Sequence, residues 1–451
     1  MLRKEERGKM KKIDLTEGKV TKVILKLALP IMGSSLLQFT YNLVDMIWVG
    51  GLGSNAVASI GSSSFFIGLG YSINALVVIG TGIKVSHAIG QKNDKDVKSY
   101  VNASILINLA LGIIYALSLI FLGRQFIGFL QLNNIDVEVN AYMYLAISAP
   151  MMFFTFFNIL YTRILNSFGN NKSALKISAL GVLINIILDP IFIYVLDTGV
   201  IGAAIATLIS NFVMFVIFKV KGKGIFEFDF KIGVEKDKVI EIIKLGFPMS
   251  FQRILFTLVN IILARIIAIF GSDAIAAQKI GLQIESITFM VIGGLNGAIA
   301  SFTGQNYGAK KFNRIIKGYK SSLKIGIIYS TVTALAFTFI PGILVKIFIR
   351  DEVTILIASL YLQIVAVSQI FSTVEMVSNG LFTGIGKPKI SAYISIVFTV
   401  LRIPMALTLI KFIGVNGIWW SIALSSIFKG IVSYILYIIQ VRKGYKYIGN
   451  F

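Results

Sequence analysis

Long apolar stretches alternate with short polar ones along the whole chain. A helix needs about 20 residues to cross roughly 30 Å of hydrocarbon. The pattern predicts twelve such spans, at 23–49, 56–83, 99–122, 137–162, 173–196, 199–220, 239–270, 274–303, 318–349, 354–383, 390–413 and 414–440. The seventh opens with an amphipathic stretch, Val239 to Lys244, suited to the membrane interface. The last two meet at Gly414–Gly417 with almost no loop. The expected fold is all-α and membrane-integral: a tail at 1–22, a six-helix bundle at 23–220, a charged linker at 221–238, a second six-helix bundle at 239–440 and a tail at 441–451. Residues 1–22 are polar, and the first apolar run is too long for the core of a cleavable signal.

Composition agrees with the pattern. The chain is 56% hydrophobic and 14% charged, with a mean hydropathy of +0.82, against about 25% charged in ordinary soluble proteins. A soluble enzyme and a disordered chain are excluded, because too few polar residues exist to coat a core. A net charge of +22 would suggest nucleic-acid binding in a soluble protein. Here the basic residues sit in alternate loops. One set of loops and tails holds 31 Lys and Arg, and the other holds only Arg124, Arg350 and Lys411. Both termini are therefore expected in the cytoplasm, with the protein in the cell (inner) membrane and no nucleic-acid partner. Cysteine is absent and His87 is the single histidine. Thiol chemistry is excluded, and a zinc site would have to be nearly all carboxylate. No cofactor is expected, and His87 reads as a solvated loop residue.

The two halves resemble each other. Leu27-Ala28-Leu29-Pro30 pairs with Leu245-Gly246-Phe247-Pro248, Asn42 with Asn260, and Gly53-Ser54-Asn55-Ala56 with Gly271-Ser272-Asp273-Ala274. Further on, Gly90-Gln91 is paired with Gly304-Gln305, Gly169 and Lys172 with Gly386 and Lys389, and Gly199–Gly202 with Gly414–Gly417. Six spans per half make the repeat parallel. Duplication of this kind is common in secondary transporters.

Ionisable residues inside spans are costly and are functional candidates by default. Asp45 is the only acid in the first span. Gln38, Asn42 and Asp45 share a helix face, with Tyr41 at its border. In the fifth span Asn185 and Asp189 are one turn apart, and Pro190 removes a backbone hydrogen bond and predicts a bend. Thr207 offers a hydroxyl from the sixth span. Asp45, Asp189 and Thr207 lie at similar depths, about 6–12 Å below the outer boundary at 1.5 Å per residue. Two carboxylates close together in a pocket of low dielectric require a proton or a cation. Asp45, Asp189, Asn185, Thr207 and Asn42 are thus the candidate site for H⁺ or Na⁺. Gln38, Tyr41, Met151, Phe154 and Asn158 are candidates for a substrate cavity, and Glu285 and Glu375 for a second site. Arg253 and Arg402 in the same half suggest that these glutamates form structural ion pairs.

Four features together resemble the multidrug and toxic compound extrusion (MATE) family, over nearly the full length. They are Leu27-Ala28-Leu29-Pro30, the following Asp45, Asn185-Ile-Ile-Leu-Asp189-Pro190, and Gly304-Gln305-Asn306-Tyr307-Gly308-Ala309. The resemblance implies a V-shaped pair of six-helix bundles and export of organic, often cationic, compounds in exchange for H⁺ or Na⁺. It carries Asp45, Asn185, Asp189 and Thr207 onto a cation site in the first bundle. Some members place essential acids in spans seven and ten, but span seven here has none between its amphipathic opening stretch and Asp273. The protein is expected to function as a monomer. A flippase for lipid-linked sugars is the nearest alternative, disfavoured by twelve spans and an acidic first half. An integral-membrane enzyme is disfavoured by the absence of a catalytic constellation.

Overall fold

The computed structural model describes residues 14–132 and 134–444. Among these residues there are sixteen α-helices, two short π-helical segments and no strand. The first half contains α1 (Val20–Gly50), α2 (Ser54–Gly90), α3 (Asp94–Phe121), α4 (Gly123–Gly128), α5 (Ile135–Ser167), α6 (Asn171–Pro190) and α7 (Gly199–Lys221). The second contains α8 (Lys236–Ala268), α9 (Ser272–Gly308), α10 (Phe312–Phe339), α11 (Pro341–Lys346), α12 (Glu352–Ala366), α13 (Gln369–Gly384), α14 (Pro388–Val400), α15 (Arg402–Ile413) and α16 (Asn416–Tyr437). Eleven stretches are long and apolar enough to cross a membrane. The pair α12 and α13, bent by 56°, makes a twelfth when counted as one broken span.

That break departs from the single helix expected over 354–383. The Ser368 hydroxyl bonds the Val365 carbonyl at 2.9 Å, a side-chain competitor for the backbone ladder. The equivalent helix of the first half, α5, stays continuous despite Pro150. His87 also differs from expectation: it lies in the last turn of α2 and is half-buried, not in a solvated loop. At Pro190 the expected irregularity takes the form of a π-helical turn, Ile191–Val195.

The duplication extends to the backbone. α2 and α9 have 37 residues each, and α3 and α10 have 28. The glycines that precede α2 and α9, Gly53 and Gly271, both have φ 98°. Lys92 and Lys310 share φ 57°, and Gly169 and Gly386 have 74° and 80°. Left-handed backbone is costly for ordinary residues, so its recurrence marks true equivalence. Asn134 caps α5 through the Val137 amide at 3.2 Å, and its counterpart Asp351 caps α12 through Thr354 at 2.8 Å. That bond holds the Asp351 carboxyl below its ordinary range. One expected pairing is corrected. Both 37-residue helices end in glycine, so Gly90-Gln91 corresponds to Gly308-Ala309 and not to Gly304-Gln305. The first half is two residues longer between Gly169 and Gly199 than the second between Gly386 and Gly414, and the π-helical turn lies in that stretch.

The chain forms two compact units. One contains Gly33–Ser250, and the other contains Leu15–Met32 and the chain from Phe251 onward. These differ from the sequence halves at two equivalent places, each just after the helix proline, Pro30 or Pro248. In the first unit the linker is anchored. Phe226 stacks on Tyr161 with ring centroids 4.3 Å apart, and Asn102 holds the Asp229 and Gly233 carbonyls at 2.8 and 2.7 Å. The start of α8 crosses α2 where Gly246 faces the Leu76 backbone and Gly80 faces that of Ile242. A side chain at either glycine would push the helices apart, a use of small residues typical of packing in lipid. In the second unit the core centres on Trp419, fully buried edge-on to Tyr361 at 5.0 Å.

Candidate functional site

Three helices of the first unit bring the predicted polar residues together. The Asn185 side chain, 2% exposed, donates from Nδ2 to Asp189 Oδ1 at 3.1 Å and to Thr207 Oγ1 at 3.3 Å. Thr207 gives its own proton to the Ala203 carbonyl at 2.9 Å. Its oxygen must therefore accept from Tyr41 OH, 3.3 Å away. Every donor of this cluster is then spent. Two buried acceptors are left without a partner, Asn185 Oδ1 and Asp189 Oδ2. A neutral orphan acceptor costs about 1–3 kcal/mol and a charged one more, so these two oxygens can take a proton or a cation.

Asp45 adds a second acid. It is half-buried on α1 and acts on Asp189 through its charge. Tyr144 of α5, buried, lies in the field of both aspartates. Neither Tyr144 nor Asn211, which bonds the Thr207 carbonyl at 3.0 Å, was picked out in the sequence, where a tyrosine or an amide in a long apolar run looks ordinary. The ligating atoms are all oxygens. No group of three or more His, Cys, Asp and Glu side chains that could hold a metal occurs among the described residues. The cluster suits a proton or a hard monovalent cation.

Other candidates are placed differently. Gln38 and Asn42 are exposed and bond each other at 3.4 Å, so Asn42 does not join the aspartate cluster. Met151 is a core residue, 4% exposed, whose sulfur accepts from Thr155, and not a cavity wall. Asn158 is buried against Asn211 at 2.9 Å. Phe154 is half-buried between Phe212 and Phe215.

The second unit holds a different charge cluster. Glu285, 5% exposed, accepts from Tyr361 OH at 2.5 Å and from Gln369 Nε2 at 3.0 Å. Arg402, 6% exposed, donates to Ser425 at 2.6 Å and Ser426 at 3.4 Å. Lys429, which the sequence reading overlooked although it is a lysine inside an apolar run, donates to Thr399 at 2.8 Å. Glu375 and Glu285 act on Arg402, and Glu375 on Lys429, through charge and not contact. The expected ion pairs of Glu285 and Glu375 with Arg253 and Arg402 do not form among the described residues. Hydroxyls and an amide bind Glu285 and Arg402 instead, and Arg253 is exposed.

Fold and site together define a duplicated, multi-pass helical membrane protein with a buried carboxylate cluster in one repeat. The MatE family model matches residues 30–191 and 248–408, one match in each half. The chain belongs to the MatE family. It is 26% identical over 437 residues to the probable multidrug resistance protein NorM of Thermotoga maritima, covering 93% of this chain and 92% of that one. It is likewise 26% identical over 419 residues to the multidrug export protein MepA of Staphylococcus aureus, covering 90% and 91%. Its fold matches a MOP superfamily transporter from Pyrococcus furiosus with a TM-score of 0.90, at 23% identity over 96% of this chain and 98% of that one. It also matches a MATE protein solved in complex with MaL6, with a TM-score of 0.91 at 24% identity over 97% and 99%.

Proposed function

We propose that this protein is a secondary active efflux transporter that exports small organic, often cationic, compounds by alternating access, in exchange for H⁺ or Na⁺. The observation that carries the reading is the pair of orphaned buried oxygens, Asn185 Oδ1 and Asp189 Oδ2, beside a second carboxylate. Similarity to NorM and MepA over nine-tenths of the chain supports the cargo class. Asp45 and Asp189 supply the charge that the coupling ion neutralises. Asn185 and Thr207 supply neutral oxygens, and Tyr41 keeps Thr207 oriented. The site carries more negative charge when empty than when loaded. Loading therefore removes the cost of a buried charge and favours a different arrangement of the surrounding helices. The π-helical turn after Pro190 gives α6 a place to yield.

The driving force is adequate. One charge crossing 100 mV supplies about 2.3 kcal/mol, and a tenfold gradient adds about 1.4 kcal/mol. Both termini and the 221–238 linker face the cytoplasm in this reading, and a monomer in the inner membrane is the working unit. The test is efflux of a cationic dye from proteoliposomes, driven first by a pH gradient alone and then by a sodium gradient alone. Dye movement under one gradient is expected, and no movement under either overturns the reading. An impermeant thiol reagent on Lys223→Cys tests the orientation, since the chain has no other cysteine. Labelling is expected only after the cells are opened.

A further inference from the structure

We infer that the start of α1 and the facing side of α10 form a binding site for a phosphate-bearing anion, either an anionic phospholipid headgroup or free phosphate. A cavity of about 780 Å³ opens there, with Lys19, Lys22, Arg314 and Lys317 among its walls and Leu25 at its apolar side. Four cationic side chains, from α1, the residue before it and α10, line one cavity, and no acidic side chain does. Arg314 is committed to shaping it: Nη1 donates to the Gly18 carbonyl and Nη2 to that of Glu17, both at 2.9 Å, and Nε to Asn306 at 3.1 Å. Lys311 fixes Thr16 at 2.9 Å, and Ser321 bonds Thr21 at 2.8 Å. The walls are thus preset. The ammonium groups of Lys19, Lys22 and Lys317, by contrast, have no ion pair or hydrogen bond among the described residues.

The equivalent region of the first unit shows what is missing. There the segment leading into α8 also docks on basic residues, but carboxylates answer them. Lys238 pairs with Asp96 and Lys84 with Glu241, both at 2.9 Å, and Lys98 lies in the field of Asp229 and Glu227. No acidic side chain lines the cavity of the second unit, so an external anion completes it. α1 begins a membrane span at Val20, which puts the cavity at headgroup level. Leu25, 36% exposed, lies a turn deeper, where an acyl chain would begin.

The experiment uses purified full-length protein and native mass spectrometry, with phosphatidylglycerol or phosphatidylcholine added. Lys19→Gln/Lys22→Gln/Lys317→Gln is compared with a charge-matched control, Lys219→Gln/Lys221→Gln/Lys223→Gln, whose residues are also exposed. Lysines near an anionic surface attract it, so the cavity variant should lose phosphatidylglycerol retention at least about tenfold, while the control matches the wild type. In a parallel arm, inorganic phosphate is added to delipidated protein and the thermal midpoint is read. A rise that the cavity variant loses, with lipid retention unchanged, assigns the site to free phosphate. The inference is overturned if the cavity variant retains phosphatidylglycerol like the control and also shows the wild-type response to phosphate.

Discussion

The two units are built from one repeat and carry opposite solutions to the same electrostatic problem. In the first, Asp45 and Asp189 sit among neutral oxygens with no basic side chain bonded to the cluster. In the second, Glu285 and Glu375 share their surroundings with Arg402 and Lys429. The repeat register makes the contrast specific. Asp45 has Leu263 at its equivalent position, Asn185 has Arg402, Asp189 has Ala406 and Thr207 has Ile422. None of the four is duplicated. A buried acid must be neutralised, and the second unit does so with cations covalently part of the chain. In the proposed mechanism the first leaves that role to a cation from outside. A fixed counter-charge cannot leave, so in the proposed mechanism ion exchange belongs to the first unit.

The largest effect that would break this contrast concerns the acids. Asp189→Asn and Asp45→Asn should each abolish gradient-driven dye efflux while the protein still reaches the membrane at wild-type level, as judged by membrane fractionation. Next is the internal cation. Arg402→Gln leaves Glu285 and Glu375 less compensated, and loss of one partner from a buried charge cluster costs about 3–5 kcal/mol. Thermal unfolding in detergent should show a large drop, and adding Glu375→Gln should recover part of it. An Arg402→Gln protein as stable as the wild type would mean that the second cluster is not a charge-balanced unit.

Smaller effects sharpen the comparison. Asn185→Ala and Thr207→Ala each remove one neutral hydrogen-bonding group, worth about 1 kcal/mol, so half-saturation by the coupling ion should weaken about fivefold. The same substitution at Ser425 should leave ion dependence unchanged, because its hydroxyl serves Arg402 and not an exchangeable cation.

The helices were legible because lipid imposes a simple rule: a spanning segment must be long, apolar and internally hydrogen-bonded. The repeat was legible where backbone geometry demands glycine, as at Gly53 and Gly271. It misled at Gly90, where a Gly-Gln pair recurs four residues away from the structural equivalent. The bend between α12 and α13 was hidden, because Ser368 looks like any serine until its hydroxyl is seen on the Val365 carbonyl. Asp45, Asn185 and Asp189 stood out because charge inside a span is expensive. What the spacing could not give was the donor count that leaves Asn185 Oδ1 and Asp189 Oδ2 unmatched. Asn42 shared the helix face of Asp45 but turned out to be paired with Gln38. Lys429 was open to the same charge-in-a-span argument as Arg402, and its partner Thr399 lies 30 residues away in sequence.

The most direct measurement is dye efflux from proteoliposomes under a pH gradient alone and a sodium gradient alone, compared across wild type, Asp189→Asn and Glu285→Gln at equal reconstituted amounts. The wild type should respond to one of the gradients, Asp189→Asn to neither, and Glu285→Gln to the same gradient as the wild type with similar steepness. An Asp189→Asn protein that keeps the wild-type ion dependence, or a folded Glu285→Gln protein that loses it, would contradict the assignment of ion exchange to the first unit.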